Sequence, residues 1–305
     1  MTGAGTPRAG LVVGAFGHTA LVEDTGGRLW RCRVPRRQGP VVCGDRVMWL
    51  PEHGDQGRVV EVKPRRSALV RPAARGRLKP LAANIDRLLA VVAPAPPPER
   101  GLLDRYLVAA ELLELPAAIV CNKSDLLDAA ARADMEAGLA VYERLGYPVV
   151  WASTRTEDGL DALRALLKED TAIFVGQSGV GKSSLVKALV PEAELRTGAL
   201  SAASGLGRHT TTAARLYHLP GGGAIIDSPG VRDFHLWPVE PAELARGFRE
   251  FHPCLGRCRF RDCRHLEEPD CAVRAAVEAG AIDSGRYASY RRLLHAMEEE
   301  RARRQ

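Results

Sequence analysis

Gly-Gln-Ser-Gly-Val-Gly-Lys-Ser-Ser at residues 176–184 is the stretch that decides the fold of the central part of this chain. It matches the pattern G-x-x-x-x-G-K-[ST], whose glycines let backbone N–H groups point inward at phosphate oxygens. An apolar run at 172–175 precedes it and helical spacing follows it, which is the strand–loop–helix context that the pattern requires. Lys182 is predicted to reach the β- and γ-phosphates, and the Ser183 hydroxyl to coordinate Mg²⁺.

A second polar stretch, Asn-Lys-Ser-Asp at 122–125, lies before the phosphate loop. It resembles the guanine-reading box of GTP-binding proteins, which usually follows that loop. The Asp125 carboxylate can accept hydrogen bonds from the N1–H and 2-amino groups of guanine; adenine offers neither donor, and a buried polar group left unpaired costs about 1–3 kcal/mol. Asn122 is expected to hold neighbouring loops, and the stem of Lys123 to cover the base. The four residues alone also fit a strand end followed by a helix N-cap, but beside a phosphate loop they predict guanine binding.

The reversed order of these two motifs is compatible with one site, because a chain can be circularly permuted while its sheet stays the same. Ala152-Ser153-Thr154 follows the next predicted strand, where a backbone N–H could meet the guanine O6. Asp-Ser-Pro-Gly at 227–230 ends an apolar strand and fits the D-x-x-G box. Its Asp227 is expected to hold Mg²⁺ through water, and the Gly230 N–H to sense the γ-phosphate.

Gly-Arg-His-Thr-Thr-Thr at 207–212 lies between the phosphate loop and the D-x-x-G box, where a switch threonine is needed for Mg²⁺. Thr211 or Thr212 is the candidate, although the stretch also reads as a solvated polar loop. Val231 follows the D-x-x-G box in place of a glutamine that could position water. We therefore expect slow intrinsic hydrolysis, with a partner that completes the catalytic arrangement by ordering His209 or Arg208.

The predicted catalytic residues are Lys182, Asp227 and His209, and the predicted magnesium ligands are Ser183, Thr211 and Thr212. The residues predicted to bind GTP are Asn122, Lys123, Ser124, Asp125, Ser153, Gly176, Gln177, Ser178, Gly179, Val180, Gly181, Lys182, Ser183, Ser184, Asp227 and Gly230.

A cluster of metal-binding side chains lies near the C-terminus. Three thiols and an imidazole fall within residues 258–271, and such a set suits tetrahedral Zn²⁺. The predicted ligands are Cys258, Cys263, His265 and Cys271. With all four ligands from protein, the site should be structural. His252 and Cys254 are competing ligands, and reduced cysteines in a loop are the alternative. The other three cysteines, Cys32, Cys43 and Cys121, are expected in the core.

The chain around these motifs divides into three regions. Five short runs between residues 11 and 62, with turns at 25–27 and 52–55, predict a small closed barrel of the OB type. A basic, proline-broken connector follows at 63–80, and strands then alternate with helices, which is typical of a parallel sheet. The predicted fold is α/β: a barrel at 1–75, a circularly permuted phosphate-loop GTPase domain at 76–236, and a small helical zinc domain at 237–305.

Composition bears on partners and location. Of the 305 residues, 43 are Lys or Arg against 37 Asp or Glu, a net charge of +6. Lysine is scarce among the basic residues, and arginine binds phosphate bidentately, which fits an RNA partner as well as a coding bias. Arg31, Arg33, Arg36 and Arg37 form a basic run beside the barrel and favour RNA contact there. Since no apolar run approaches the length of a membrane span, a cytoplasmic protein is expected.

The boxes at 122–125, 176–184, 207–212 and 227–230 and the C-x₄-C-x-H-x₅-C set at 258–271 together resemble the ribosome small-subunit-dependent GTPases. These proteins are circularly permuted, and the resemblance covers nearly the whole chain, including the barrel. It implies GTP hydrolysis stimulated by the small ribosomal subunit during late maturation, rRNA contact, and release once the subunit has matured. It also implies GTP and GDP as substrate and product, Mg²⁺, one structural Zn²⁺, and a monomer without membrane contact.

Two other functions remain open at this point. One is an RNA-binding assembly factor in which the nucleotide is only a ligand, and the other is a phosphate-loop ATPase or nucleotide kinase, against which Asp125 argues. A mechanistic hypothesis also follows from the order of the motifs. Because the D-x-x-G box leads through residues 231–234 into the zinc region, contact of Gly230 with the γ-phosphate would set the pose of that region on RNA.

Overall fold

The computed structural model describes residues 6–73, 77–191, 214–228 and 234–302. The strands are β1 (Arg8–Phe16), β2 (Thr19–Asp24), β3 (Leu29–Arg33), β4 (Arg46–Pro51), β5 (Gln56–Val62), β6 (Ala68–Pro72), β7 (Leu78–Ala83), β8 (Arg87–Val92), β9 (Ala117–Cys121), β10 (Val149–Trp151), β11 (Thr171–Val175), β12 (Arg215–His218) and β13 (Ala224–Asp227). The helices are α1 (Arg100–Leu112), α2 (Ala129–Arg144), α3 (Leu160–Leu167), α4 (Lys182–Leu189), α5 (Pro241–Arg246), α6 (Ala272–Glu278) and α7 (Ser284–Ala302). Within these ranges, no helix is both long enough and apolar enough to cross a membrane.

The first five strands close into a barrel, as the sequence predicts. They pair in the order β1-β2-β3-β5-β4, and β4 returns to β1. Inward-facing side chains alternate along each strand, and Trp30 stacks on Trp49 with ring centroids 4.7 Å apart. A glycine is required at position 10, where a Cβ would stand 2.4 Å from Val22. The barrel is therefore filled by its own side chains.

Part of the basic, proline-broken connector predicted at 63–80 forms the strands of a hairpin, which is not predicted from the sequence. β6 and β7 pair antiparallel from Ala68↔Ala83 to Pro72↔Leu78. The prolines are tolerated because this ribbon has only two strands, neither of which is a central strand, and because its register shifts between Leu69 and Val70. Burial of Leu69 fixes the hairpin on the core.

The central sheet runs in the order β10-β9-β8-β11-β13-β12. The first five of these strands are parallel, whereas β12 is antiparallel to β13. Helices cover the sheet, and its strands are buried on both faces. β11, which feeds the phosphate loop, lies between β8 and β13, so segments that are distant in sequence end at the same edge of the sheet.

The barrel and the central sheet are continuous, which the sequence does not predict. β1 pairs with β12 at Gly14↔Arg215, so that both belong to one eleven-stranded sheet. Close backbone contacts also join the barrel to the β6–β7 hairpin: the Ala83 N–H of β7 donates to the Cys43 carbonyl at 2.9 Å. Gly44 has a φ of +88°, and a Cβ there would stand only 1.9 Å from the Ala83 oxygen.

The C-terminal helices pack on α1 around a buried charged network. Arg286 of α7 donates to Asp104 of α1 and to Glu250, each at 2.7 Å, and Tyr142 of α2 donates to the same Asp104 carboxylate at 2.8 Å. The Arg286 side chain is 1% exposed. The network therefore joins the C-terminal region to two helices of the central domain.

Candidate nucleotide and metal sites

The phosphate loop between β11 and α4 has the curled backbone that its glycines permit. Gly176, Gly179 and Gly181 have φ angles of +146°, +85° and +91°. Lys182, the first residue of α4, is 7% exposed, and its ammonium group donates to the carbonyls of Gly176 and Gln177, both at 2.6 Å. The ammonium is thus held inside the curl of the loop, beside the N-terminus of a helix that favours anions.

The guanine box and the phosphate loop are in direct contact. The Asn122 side-chain amide donates to the Val180 carbonyl at 2.9 Å, and a Cβ on Gly181 would stand 2.3 Å from the same nitrogen. The Lys123 ammonium group donates to the Gly179 carbonyl at 2.6 Å and to the Ala95 carbonyl at 2.7 Å. The two motifs that lie in reversed order along the chain therefore form one site.

The contact of Lys123 with residue 95 adds an element that sequence reasoning missed. The loop after β8 packs against the phosphate loop, and a Cβ on Gly179 would lie 3.4 Å from Pro96. The proline-rich composition of this segment predicts a loop, but it does not predict where the loop packs in the folded protein. Only the neighbouring places of β8 and β11 in the sheet put it there.

Asp125 lies exposed at the end of the guanine box, and its carboxylate accepts a hydrogen bond from the buried Ser153 hydroxyl at 2.6 Å. The Ser124 N–H donates to the Ala152 carbonyl at 3.1 Å, so the two predicted base-binding segments touch. The Ser153 hydroxyl oxygen in turn accepts from the N–H groups of Arg155 and Thr156. The side chain of Ser153 is therefore fixed and orients the carboxylate predicted to read guanine.

Residues 152–154 are predicted to offer a backbone N–H to guanine O6, and only one of the three remains a candidate for this contact. The Ala152 N–H donates to the Cys121 carbonyl at 2.9 Å, and the Ser153 N–H donates to the Asp158 carbonyl at 3.0 Å. Both amides are engaged within the protein, which leaves the Thr154 N–H as the candidate donor to guanine O6. Ser153 contacts the guanine box through its hydroxyl instead.

The predicted magnesium groups also meet. The Ser183 hydroxyl donates to the Asp227 carboxylate at 3.2 Å, which places the start of α4 against the end of β13. Ser178 and Ser184 are exposed along the same loop and helix. The remaining predicted residues, His209, Thr211, Thr212 and Gly230, lie outside the described residues.

The four predicted zinc ligands converge in the C-terminal region. Their ligand atoms all lie within 4.8 Å of one another, and the Cys258 and Cys271 sulfur atoms are 3.9 Å apart. The His265 Nδ1 lies 3.5 Å from one of these sulfurs and 3.4 Å from the other. A tetrahedral Zn²⁺ with ordinary bond lengths gives about 3.8 Å between two sulfurs and about 3.6 Å between sulfur and nitrogen, so the spacing fits zinc.

The competing ligands are not part of this cluster. The His252 Nε2 lies 2.7 Å from the Arg246 carbonyl, and Cys254 packs against the apolar core. Burial raises the pKa of Cys263 to about 12 and lowers the pKa of His265. The imidazole is therefore neutral and ready to bind a metal, whereas a bound cation would release the thiol protons.

A phosphate loop, a guanine box in contact with it, and a D-x-x-G strand, arranged in permuted order behind a barrel, define the class of circularly permuted phosphate-loop GTPases. Solved structures agree. The crystal structure of YjeQ from Thermotoga maritima is 32% identical, with a TM-score of 0.76 over 96% of this chain and 99% of that one. The structure described as YloQ, a circularly permuted GTPase, is 28% identical, with a TM-score of 0.74 over 98% of both chains.

Sequence comparisons define the family. The model described as RsgA GTPase matches residues 62–237. "Small ribosomal subunit biogenesis GTPase RsgA" of Chromohalobacter salexigens is 52% identical over 96% of this chain and 87% of its own length. "Small ribosomal subunit biogenesis GTPase RsgA 1" of Vibrio vulnificus is 47% identical over 99% and 87%. The chain belongs to the RsgA GTPase family, and it is a GTP-hydrolysing enzyme. This confirms the predicted family, fold class and enzyme class, and it argues against an ATPase or a nucleotide kinase.

Proposed function

We propose that this GTPase binds the small ribosomal subunit and hydrolyses GTP during late maturation of the subunit, with its release coupled to the nucleotide state. The observation that carries the proposal is the identity of 52% and 47%, over nearly the whole chain, to relatives named for small ribosomal subunit biogenesis. The protein would act in the cytoplasm as a monomer. Its three regions would be the barrel at 1–75, the GTPase domain at 76–236 and the zinc region at 237–305.

In the proposed nucleotide site, Asp125 reads guanine and Ser153 holds its carboxylate. The phosphate loop and Lys182 bind the β- and γ-phosphates, and Ser183 and Asp227 hold Mg²⁺. The hydrogen bonds between the guanine box and this loop support the assignment, because they bring the two motifs into direct contact. Mg²⁺, when bound, would neutralise charge that develops on the phosphates.

His209, Thr211, Thr212 and Gly230 complete the proposed site. The threonines would supply a further magnesium ligand, and Gly230 would contact the γ-phosphate. His209 would act only when the ribosomal partner orders its segment, which explains why no glutamine is needed after Gly230. Replacement of His209 by Ala should then lower hydrolysis stimulated by small subunits and leave intrinsic hydrolysis unchanged. Equal stimulation of both proteins would remove His209 from the mechanism.

The metal cluster is proposed to hold one structural Zn²⁺ on Cys258, Cys263, His265 and Cys271. Four protein ligands leave no position open for water, so the ion would hold the local fold and take no part in hydrolysis. A hydrogen bond from the Tyr287 hydroxyl to the His265 carbonyl, at 2.6 Å, ties this cluster to α7.

RNA contact is proposed for one face of the barrel. Arg33, Arg36, Arg37 and Arg58 line an open depression of about 500 Å³ together with Pro35. Guanidinium groups bind phosphate oxygens bidentately, and the concave basic surface suits an RNA backbone. Binding to small subunits should accordingly weaken as salt increases.

The proposed function is tested by steady-state phosphate release from GTP, with and without purified small ribosomal subunits. The expected result is slow release that small subunits stimulate and large subunits do not. ATP should neither be hydrolysed nor compete with GTP, and Asp125→Ala should lose this preference for guanine. Turnover that small subunits leave unchanged would contradict the proposed partner, whereas a failure to bind GTP would contradict the proposed site.

A further inference from the structure

A short segment between two predicted zinc ligands presents an exposed aromatic ring among arginines. Residues 257–261, here called the zinc-loop tip, read Arg-Cys-Arg-Phe-Arg. Phe260 is 42% exposed. Within the described part of the chain, the other large exposed hydrophobic side chains are Leu78 and Leu126, so Phe260 is the only aromatic one. Single exposed apolar side chains are common on protein surfaces, so the ring is informative only together with the shape and the charges of the segment that carries it.

The zinc-loop tip is held in shape by its surroundings. Cys258 within the tip and Cys263 two residues after it belong to the cluster of ligand atoms. The Arg259 N–H donates to the Asp270 carbonyl at 3.2 Å, and the Cys263 N–H donates to the Phe260 carbonyl at 3.4 Å. A ring held in this way loses little conformational entropy when it binds, which favours recognition by contact.

The charges of the tip favour an anionic partner. Arg259 pairs with Asp270 at 3.3 Å, but both side chains are exposed and such a pair is weak. Arg257 and Arg261 are exposed, and neither forms an ion pair with another described residue. The Arg259 guanidinium lies 5.5 Å from the Phe260 ring centroid, within the range of cation–π contact. One guanidinium therefore lies near the ring, and Arg257 and Arg261 lie within three residues of it in the sequence.

We propose that the zinc-loop tip binds an unpaired nucleotide of ribosomal RNA. Phe260 would stack on the base, and Arg257 and Arg261 would contact the flanking phosphates. The inference rests on the proposed function for the presence of RNA. Single-stranded RNA is recognised by aromatic stacking combined with basic side chains, whereas the base faces of a duplex are covered. A protein partner would instead need a contiguous apolar centre, and one ring among charges does not supply it.

The test compares the full-length chain with Phe260→Leu, which keeps an apolar side chain without a ring, and Phe260→Tyr, which keeps the ring. Equilibrium binding is measured to purified small subunits, and to a single-stranded RNA oligonucleotide that carries 2-aminopurine, free or annealed to its complement. Loss of one base–aromatic stack should weaken binding about five- to 100-fold in Phe260→Leu. Phe260→Tyr should bind like the parent, and both ring-bearing proteins should quench 2-aminopurine in the single strand only.

The zinc content, the melting temperature and a double arginine variant serve as controls. Zinc content and melting temperature should match the parent in every variant. The double variant Arg257→Gln, Arg261→Gln should reduce the salt dependence of oligonucleotide binding, by about 0.7 in the log–log slope for each phosphate that is no longer neutralised. If Phe260→Leu binds subunits as the parent does, the inference is wrong and the proposed function stands. If the parent itself does not bind subunits, the proposed function is wrong.

The remaining outcomes concern the type of contact. Weaker subunit binding by Phe260→Leu without any change in oligonucleotide binding or quenching would indicate a ribosomal protein at the tip, which overturns the inference. Equal losses in Phe260→Leu and Phe260→Tyr would indicate a packing defect, and they would overturn it as well.

Discussion

The hydrogen bond between Ser153 and Asp125 shows how one buried hydroxyl can prepare a base-reading carboxylate. Ser153 is fully buried, and its oxygen lies 2.6 Å from Asp125. From sequence, position 153 is predicted to act through its backbone, because only its place after a strand is visible. The side-chain contact depends on the loop 153–159 folding back, and this needs Gly159, where a Cβ would stand 1.8 Å from the Trp151 carbonyl.

Ser153→Ala should weaken GTP binding about 10- to 150-fold, because a hydrogen bond to a charged group contributes roughly 1.5–3 kcal/mol. Isothermal titration or a fluorescent guanine nucleotide measures the affinity. Thr156→Ala is the matched control, since it removes an exposed hydroxyl of the same loop that donates to Asp158. In an Asp125→Ala background the effect of Ser153→Ala should disappear, and a persistent loss would show that Ser153 acts by another route.

Arg286→Met should destabilise the protein by about 3–5 kcal/mol, because it leaves Asp104 and Glu250 buried without their cation. Burial acts to lower the pKa of Arg286, but the hydrogen bond to Glu250 and the charge of Asp104 outweigh it and raise that pKa. The guanidinium therefore stays charged, and the loss should appear at any pH near neutrality.

Denaturant unfolding measures this loss. Arg164→Met is the control: Arg164 pairs with Asp161 on an exposed helix surface, with side-chain exposures of 45% and 96%. Its removal should change stability by less than about 0.5 kcal/mol. Similar effects of the two substitutions would mean that the buried network contributes no more than a surface pair.

Among the elements, the junction between the barrel and the β6–β7 hairpin depends on a glycine. Gly44→Ala should destabilise the protein by at least about 3 kcal/mol, because its Cβ would collide with the Ala83 carbonyl in addition to the cost of a positive φ. Gly17→Ala is the control: Gly17 has a φ of +65°, and a Cβ at this position would meet no atom within 4 Å. It should cost only about 1–2 kcal/mol. An equal loss of stability in the two variants would show that the backbone around Gly44 can shift at little energetic cost.

Hydrophobic periodicity predicts the individual elements well but not their association. The apolar run at 117–121 and the helical spacing at 160–167 are local signals, and they coincide with β9 and α3. The pairing of β1 with β12 joins residues about 200 positions apart in sequence, and no local pattern encodes it. The hairpin of β6 and β7 was hidden for another reason, since its prolines read as breaks unless the ribbon is known to have only two strands.

At the scale of the whole molecule, substitutions can distinguish the cysteines of the metal cluster from Cys254, which lies near them in the sequence. Cys263→Ser should lower the zinc content from one ion per chain to nearly none and unfold the region around it, because structural zinc contributes folding free energy directly. Cys254→Ser should keep the ion, since Cys254 lies outside the cluster. Metal analysis of the purified proteins and circular dichroism measure both. Zinc loss in Cys254→Ser instead would revise the ligand set.

The structure also bears on how a nucleotide signal could travel. Phe234, just after the D-x-x-G segment, is buried, its carbonyl accepts a hydrogen bond from Arg105, and its ring packs on Tyr106. Together with the Arg286 network, this anchors the zinc region to α1 and argues against a large swing of that region. β12 offers another route, because Arg215 pairs with Asp227 on one side and with Gly14 of the barrel on the other.

Hydrogen exchange in the presence of GDP and of a non-hydrolysable GTP analogue should therefore differ in β12 and β1 more than in α7. The physical reason is that a change at Asp227 reaches β1 through one intervening strand, whereas α7 is fixed by buried ion pairs. If hydrogen exchange differs between the two nucleotides in α7 and not in β1, the nucleotide state is instead transmitted to the zinc region.

The shared sheet has a consequence for any attempt to study the enzyme in pieces. A truncation that begins after the barrel would remove the pairing of β12 with β1 at Gly14↔Arg215 and leave that edge of β12 open. Such an uncapped margin is a template for self-association, so the shortened enzyme would tend to aggregate even with its nucleotide pocket intact. The N-terminal barrel is therefore expected to protect this edge of the central sheet from self-association.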